Sequence, residues 1–320
     1  MAIKYILGIC CALMIAVPGY ATPSETSSEI LTPSIRQQAS PDLQHRLEVR
    51  IKQLHLDAAI RNKKLSVALV DITDPASPSM AQLNGDEMMY AASLPKIAIL
   101  LAAFERIAAG KLMLNDQTRQ TMTAMIRYSS NKAATAMIRA VGKNYINQVL
   151  SSAKYRLYDK HYNGGLWVGK EYASGTAFKR DPLHHLSHGA TVMQVARFYY
   201  MLETGRLVSP QSSREMKSIL SKPGIQHKFV KGLSHTNAKI YRKSGSWRNF
   251  HADSALIEHH GRHYIAVALA NDPNGGIWMS QLIAAMDDII FEHADFVLAN
   301  KASSHIASAR ESHTPSNRLM

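Results

Sequence analysis

The chain has 320 residues, of which 46% are hydrophobic and 19% are charged, and its formal net charge is +13. This composition excludes a disordered polar chain and predicts one or two domains with a substantial core. The basic residues are scattered and form no nucleic-acid-binding motif, so the charge favours attraction to anionic cell-envelope polymers over binding of nucleic acid.

Residues 1–21 have the pattern of a secretory signal peptide. Lys4 precedes an apolar run over residues 5–17, and small residues follow at the positions that a signal peptidase reads. Cys10 and Cys11, the two cysteines of the chain, lie in this run, so the exported product would contain no disulfide. We expect a periplasmic or secreted protein without a stable membrane span; a leader that is kept as an anchor is the alternative.

The first part of the mature chain predicts a linker, a helix, two strands and a second helix. Residues 22–40 are rich in Ser, Thr and Pro, which is typical of a flexible linker. Residues 41–58 have the apolar spacing of an amphipathic helix. Residues 65–72 predict a buried strand, and a second strand is expected within residues 80–90. An apolar, alanine-rich helix should then run over residues 93–109.

The middle of the chain is mostly helical. The spacing of apolar residues predicts short helices over residues 117–128, 133–141, 145–150, 191–203 and 210–221. Residues 154–189 lack a regular pattern, and a loop of this length within a compact domain is usually functional.

The last part of the chain predicts strands followed by a long helix. Three strand-like runs occupy residues 238–247, 252–258 and 264–270, and a helix should cover residues 275–300. Residues 301–320 are polar and are expected to be a disordered tail.

Strands at both ends with helices between them predict an α+β fold of three α/β/α layers. The two early strands and the three late strands would form one five-stranded antiparallel sheet, flanked by the terminal helices. An all-helical lobe would span about residues 93–222 within a domain of residues 41–300. A cleft between the sheet and the lobe is the expected place for a small-molecule site.

A serine and a lysine lie three residues apart at the start of the first apolar helix. Ser93 and Lys96 would share one face of that helix, so the amine could reach the hydroxyl. A serine needs a base to become a nucleophile, and a buried lysine can lose its proton and act as that base. The spacing alone is a weak signal, because Ser129–Lys132 and Ser151–Lys154 repeat it.

Three short motifs occur in a fixed order: Ser93-x-x-Lys96, Ser129-x-Asn131 and Lys243-Ser244-Gly245. With this set of motifs, the sequence resembles the class A β-lactamases and penicillin-binding proteins. In that superfamily the first motif opens a helix, the second lies in a loop of the helical lobe, and the third lies on the strand that lines the cleft. The resemblance covers about residues 41–300 and implies a β-lactamase/transpeptidase-like fold.

The resemblance also implies catalytic roles. Ser93 would attack an activated amide carbonyl and form an acyl-enzyme, while Lys96 manages the proton of the serine. Ser129 would pass a proton to the departing nitrogen, with Lys243 close by to hold its polarity.

The same resemblance implies a set of substrate-binding residues. Asn131 would bond the side-chain amide of the substrate, and Ser244 and Ser246 would hold its carboxylate. Gly245 would let the substrate lie against the strand. The backbone N–H groups of Ser93 and Ser246 would form the oxyanion hole.

Two departures from class A enzymes affect this interpretation. The segment between the first two motifs is short, which predicts a trimmed lobe and an open cleft. The long loop also lacks the Glu-x-x-x-Asn pattern whose glutamate activates the deacylating water. Glu171, the glutamate of this loop, could take that role or could be a solvated charge; Asp181 is another acid there. The resemblance therefore supports acylation better than deacylation.

The leading hypothesis is an exported serine hydrolase that opens β-lactam rings. The alternatives are a D-alanyl peptidase, or other envelope amide hydrolase, and a penicillin-binding module that is acylated without turnover. The substrate would be a small β-lactam or D-alanyl peptide, and the protein a monomer. No cofactor or metal is implied, because neither His184, His185 and His188 nor His259, His260 and His263 have acidic or thiol partners at ligand spacing.

Overall fold

The structure is a computed structural model, and it describes residues 34–311. The predicted signal peptide, residues 22–33 and residues 312–320 lie outside the described residues. The helices are α1 Pro41–Gln53, α2 Asp57–Arg61, α3 Lys96–Ala108, α4 Asp116–Arg127, α5 Asn131–Val141, α6 Lys143–Ser151, α7 Val192–Glu203, α8 Pro210–Leu220, α9 Phe229–Gly232 and α10 Gly275–Glu311. The strands are β1 Leu65–Asp71, β2 Ser79–Leu83, β3 Met89–Tyr90, β4 Tyr158–Asp159, β5 Gly164–Gly165, β6 Trp167–Val168, β7 His188–Ala190, β8 Lys239–Trp247, β9 Phe250–His259 and β10 Arg262–Asn271.

The main sheet has five antiparallel strands in the order β2-β1-β10-β9-β8, which confirms the predicted sheet. The early pair joins the late strands through β1 and β10, from Leu65 opposite Ala270 to Asp71 opposite Tyr264. A two-residue turn connects β9 and β10. Its φ angles, 46° at His260 and 77° at Gly261, suit the right-handed twist of the strands it joins. Strand β8, which carries the third motif, lies at one edge of the sheet.

The two faces of the sheet pack against different helices. Val67 and Leu69 of β1 belong to the apolar cluster formed with α1 and α10. Ala68 and Val70, which alternate with them, belong to the cluster that includes α7 and the helical lobe. This period of two is what a strand buried on both faces requires, and it produces the three predicted layers.

The structure corrects the predicted flexible linker over residues 22–40. Its last part, residues 34–40, belongs to the fold because Ile35 is 1% exposed and the backbone pairs with β2. The Met80 N–H donates to Gln38 O at 2.8 Å, and the Ser40 N–H donates to Met80 O at 2.9 Å.

The structure also differs from the prediction at the end of the chain and in the long loop. Helix α10 continues to Glu311, so residues 301–311 of the predicted disordered tail are helical. Extending an existing helix needs no new nucleation, which favours this continuation. Residues 154–189 contain the short strands β4 to β7 and a single 3₁₀ turn. Among the described residues, no helix has both the length and the apolar character needed to cross a bilayer.

Candidate active site

Ser93 lies in a tight turn just before α3, and not within the helix as the sequence predicted. The Leu94 N–H donates to Ala91 O at 3.0 Å, and the Lys96 N–H donates to Ser93 O at 3.3 Å. Ala92 has a φ of 50°, a left-handed conformation that costs a residue with a Cβ about 1–2 kcal/mol. Strain of this kind is often held at functional sites by the surrounding contacts.

The Lys96 side chain is fully buried at the first turn of α3. Its Nζ donates to Ser129 O at 2.6 Å, to Asn131 Oδ1 at 2.8 Å and to Ser129 Oγ at 3.2 Å. Burial disfavours the ammonium and lowers the pKa of Lys96 to about 7. A large fraction of Lys96 is therefore neutral near pH 7, which is the form that can accept the proton of a serine.

Ser129 lies between α4 and α5, in the left-handed conformation with a φ of 55°. Ser130 caps α5, since its Oγ accepts from the Ala133 N–H at 3.1 Å, and this cap fixes the residues on either side. The Ser129 Oγ is thereby held between two amines, at 3.2 Å from Lys96 Nζ and 3.0 Å from Lys243 Nζ. A hydroxyl in this position can pass a proton in either direction.

Lys243, on β8, is 2% exposed and also donates to Ser244 O at 2.6 Å. Burial holds the pKa of Lys243 well below its ordinary value, and the charge of Lys96 lowers it further. If Lys96 and Lys243 were both protonated, their ammonium groups would repel each other across the Ser129 hydroxyl. An anionic group arriving beside Lys243 would favour its charged form.

Gly245 allows β8 to approach the turn that carries Ser93. A Cβ at this glycine would lie 2.3 Å from Ala91 O and 2.7 Å from Ser93 N. The resemblance implied that Gly245 lets the substrate lie against the strand. The structure adds that the turn carrying Ser93 also needs the space that a side chain at Gly245 would fill. The contact joins all three motifs, because Ser93 is next to β8 and Lys96 contacts Ser129.

Lys228 is a buried residue of this region that the sequence analysis missed. Its Nζ donates to Gly245 O at 2.6 Å, to Ser246 Oγ at 2.8 Å and to Ala252 O at 3.1 Å. Burial lowers the pKa of Lys228 to about 8, although the nearby Asp253 carboxylate opposes the shift. Lys228 belongs to no motif, so only the fold could reveal it.

A buried ion pair between β8 and β9 supports the segment that carries Lys228. The Arg242 Nε and Nη2 donate to the two carboxylate oxygens of Asp253 at 2.8 and 2.7 Å. The same carboxylate accepts from the Phe229 N–H at 3.1 Å, and the Arg242 guanidinium donates to His227 O at 3.0 Å. The third motif is therefore connected to the loop before α9.

Glu171 lies next to cations of α5 and α6. Its carboxylate accepts from Arg139 Nη2 at 2.7 Å and lies 2.9 Å from Lys143 Nζ. These hydrogen bonds, Arg139 first, lower the pKa of Glu171 to about 2. Within the described residues no hydrogen bond joins Glu171 to Ser93 or Lys96. The Glu171 carboxylate is thus paired with cations of the helical lobe, and its role in deacylation stays a prediction.

Tyr172, which the sequence analysis passed over, lies against Lys96 and the turn that carries Ser93. Its ring centroid is 4.4 Å from Lys96 Nζ, and its hydroxyl donates to Ala92 O at 3.1 Å. The ring packs against His188, with centroids 4.3 Å apart. Tyr172 thus contacts both Lys96 and Ala92, the strained residue before Ser93.

A cleft of about 790 Å³ opens beside these residues, between the loop over residues 170–188 and the β8–β9 turn. Asn131 and Tyr172 line its inner end, and Trp247, 58% exposed, lies at its mouth. A cleft of about 940 Å³ lies elsewhere, between α8 and β8, and shares no lining residue with it. We take the smaller cleft as the candidate site, because Asn131 of the second motif and Tyr172 line it.

Of the histidines that the sequence analysis considered, His188 lines the cleft beside Tyr172. His263 belongs to a cluster with Glu203 and Glu258 whose ligand atoms lie within 4.8 Å of one another. Lys217 Nζ lies 2.6 Å from Glu203 Oε2 and 2.8 Å from Glu258 Oε1. Its ammonium takes the position between the carboxylates that a metal ion would need.

A family model described as the beta-lactamase enzyme family matches residues 46–121 and 117–294 of the chain. A search of the curated protein sequences finds no match.

Solved structures with the same fold include beta-lactamases and PBP-A. A beta-lactamase from Sphaerobacter thermophilus is 18% identical, with 76% of this chain and 95% of that chain covered at a TM-score of 0.60. PBP-A is 17% identical, with 79% and 97% covered and a TM-score of 0.59. TLA-3 extended-spectrum beta-lactamase is 14% identical, with 79% and 98% covered and a TM-score of 0.60. At these identities the likeness shows the fold alone.

Proposed function

Because the chain belongs to the beta-lactamase enzyme family, we propose that it is an exported serine hydrolase that opens β-lactam rings through an acyl-enzyme on Ser93. The observation that carries the proposal is the pair of buried amines, Lys96 and Lys243, that share the hydroxyl of Ser129 beside the Ser93 turn. The leader-like residues 1–21 support export.

In the proposed acylation, Ser93 Oγ forms a bond to the amide carbon and its proton moves to the neutral amine of Lys96. The C–N bond then breaks, and the nitrogen receives a proton through Ser129 Oγ. The N–H groups of Ser93 and Ser246 would hold the carbonyl oxygen as its negative charge develops. Within the described part of the chain the Ser93 N–H donates no hydrogen bond, so it is available for this role.

The carboxylate of the substrate would bind along β8. Ser244 and Ser246 offer hydroxyl groups there, and Lys243 and Lys228 offer positive charge. Lys228 already donates to Ser246 Oγ, so it can orient that hydroxyl as well as attract the anion.

We propose that deacylation is the slow step. In the described residues Lys96 has no carboxylate among its hydrogen-bond partners, and the aromatic ring of Tyr172 lies against it. A water attacking the acyl-enzyme would therefore have no carboxylate base beside Lys96. This observation also favours the second candidate, a penicillin-binding module or a D-alanyl peptidase that passes its acyl group slowly.

Intact-protein mass spectrometry with benzylpenicillin tests the proposal. We expect one penicillin equivalent per chain, mapped by digestion to the peptide that contains Ser93. With a chromogenic cephalosporin we expect a burst of one equivalent followed by slow turnover. Absence of an adduct and of turnover would contradict acylation. Turnover of a D-Ala-D-Ala peptide without turnover of the cephalosporin would favour the peptidase.

The acylation rate should depend on pH through Lys96. Its pKa, lowered to about 7 by burial, means that the amine is protonated below this pH and neutral above it. The second-order rate constant for benzylpenicillin should therefore rise as the pH increases through about 7 and level off above it. Stopped-flow or quenched mass measurements from pH 5.5 to 8.5 check this, and a flat profile would remove Lys96 as the base.

Replacing Tyr172 by glutamate should shorten the lifetime of the adduct. The new carboxylate would face Lys96 and could activate water, and general-base catalysis is typically worth about 10²–10⁴-fold in rate. The decay of the penicilloyl adduct, followed by mass spectrometry, measures the effect.

Tyr172→Gln is the matched control for this prediction. Glutamine has the size of glutamate but is no base, and both variants lose the Tyr172 hydroxyl bond to Ala92 O. The adduct of the glutamine variant should decay as slowly as that of the wild type. Equal acceleration in both variants would mean that removing the ring, and not adding a base, admits the water.

A further inference from the structure

The cleft beside Tyr172 is lined by three cationic side chains from two segments of the chain. Lys170 and Arg180 belong to the loop over residues 170–188, and Arg248 belongs to the turn between β8 and β9. Lys170 is half-buried, while Arg180 and Arg248 are exposed at the rim. The volume, about 790 Å³, is in the range of small-molecule sites.

These three cations have no acidic partner among the described residues. Arg180 Nη1 donates to the backbone oxygen of His185 at 3.0 Å, and the Arg248 guanidinium lies 5.9 Å from the Trp247 ring. The acid that lines the cleft is Glu171, and its charge is already compensated by Arg139 and Lys143. The cleft is therefore a positively charged environment without its counter-ion.

The position of Asn131 indicates which part of a substrate would enter this cleft. Asn131 lines the cleft and accepts a hydrogen bond from Lys96, so the cleft opens directly from the reaction centre. Under the proposed function, Asn131 bonds the amide of the acyl side chain, whereas the carboxylate of the leaving part lies near Lys243. The substituent beyond that amide is then directed toward Arg180 and Arg248.

Aromatic side chains form the remaining wall. Tyr90 and Phe250 pack edge to face with centroids 5.4 Å apart, and Trp247 is exposed beside them. Such a surface suits a flat or apolar group that lies next to an anion.

We propose that the site selects amides whose acyl substituent carries a second carboxylate, bound by Arg180, Arg248 and Lys170. This selectivity rests on the proposed acylation of Ser93, and it names the substrate class of that same site. The substituent places its carboxylate toward the cationic rim and its apolar part against Tyr90, Phe250 and Trp247.

Two penicillins that differ by one carboxylate test the selectivity. Carbenicillin is benzylpenicillin with a carboxylate on the carbon next to the side-chain amide. The measured quantity is the ratio of their second-order acylation rate constants, carbenicillin over benzylpenicillin, at low ionic strength because salt screens exposed charges. An exposed ion pair is worth up to about 1 kcal/mol, so Arg248→Gln and Arg180→Gln should each lower the ratio by up to about fivefold.

Lys111→Gln is the control, since it removes the same charge at an exposed position beyond the far end of α3. We expect its ratio to equal that of the wild type, and the double variant Arg180→Gln/Arg248→Gln to show a larger fall than either single variant. Equal ratios in all variants, with both penicillins forming adducts, would overturn the selectivity alone. The absence of adducts with either penicillin would overturn the proposed function and the selectivity with it.

Discussion

Replacing Ser93 by alanine should abolish the covalent adduct with benzylpenicillin. The substitution removes one oxygen atom, and no other described hydroxyl lies in the turn that β8 contacts through Gly245. Loss of a catalytic serine typically costs roughly 10⁶-fold in rate, which would leave no adduct within the time of the experiment. Intact-protein mass spectrometry after an hour with excess penicillin is the measurement.

The fold should tolerate Ser93→Ala, because the hydrogen bonds of this turn are made by backbone groups. Ser174→Ala is the control: Ser174 lines the same cleft, is exposed, and has no proposed chemical role. The Ser174 variant should be acylated like the wild type. A Ser93→Ala protein that still gains one penicillin mass, with an unchanged circular dichroism spectrum, would place the nucleophile elsewhere.

Replacing Asp253 by alanine should cause the largest loss of stability among substitutions outside the catalytic residues. Asp253 is fully buried, and its partner Arg242 has a side chain that is 2% exposed. Removing one member leaves an uncompensated charge in the interior, which typically costs about 3–5 kcal/mol in the free energy of unfolding. Urea denaturation followed by circular dichroism measures the change.

Two further variants separate burial from charge pairing in this prediction. Asp57 and Arg61 form an Arg–Asp ion pair at the surface of α2, and Asp57→Ala should leave the denaturation midpoint unchanged. The double variant Arg242→Met/Asp253→Leu should recover part of the lost stability, because it leaves no buried charge without a partner. A small effect of Asp253→Ala would mean that water reaches Arg242 in the variant.

The sequence was sufficient to predict the sheet and the approach of the three motifs. Short apolar runs such as residues 65–72 identify buried strands, and strands at both ends of a helical block indicate one shared sheet. The first two motifs lie at the starts of α3 and α5, and the third lies within β8, whose neighbours are set by this topology. The contacts of Ser129 with Lys96 and Lys243 therefore follow once the sheet is known.

The sequence could not predict Lys228, Tyr172 or the environment of Glu171. Lys228 reaches Gly245 and Ser246 from a loop without a repeat or motif, so its role depends on tertiary contacts alone. Glu171 and Tyr172 are adjacent, and the direction of each side chain depends on its partners. The cations of α5 and α6 draw the carboxylate outward, and Lys96 and Ala92 O hold the ring inward.

Residues 34–40 escaped prediction for a different reason. Their composition resembles that of the preceding linker, and they join the fold through one buried apolar residue, Ile35, and through backbone pairing with β2. One buried side chain produces no periodic pattern, so the sequence alone could not identify residues 34–40 as part of the fold.

The tight contact of Gly245 with the Ser93 turn divides the site into a fixed half and an adaptable half. Even a methyl group at Gly245 would collide with the turn. We therefore expect this position to remain glycine and the distance between the turn and the strand to remain constant. On the opposite wall, Arg180 and Arg248 have exposed side chains and meet no such restriction. Diversification of substrate range in this lineage should therefore accumulate in that wall, while the reaction chemistry stays constant.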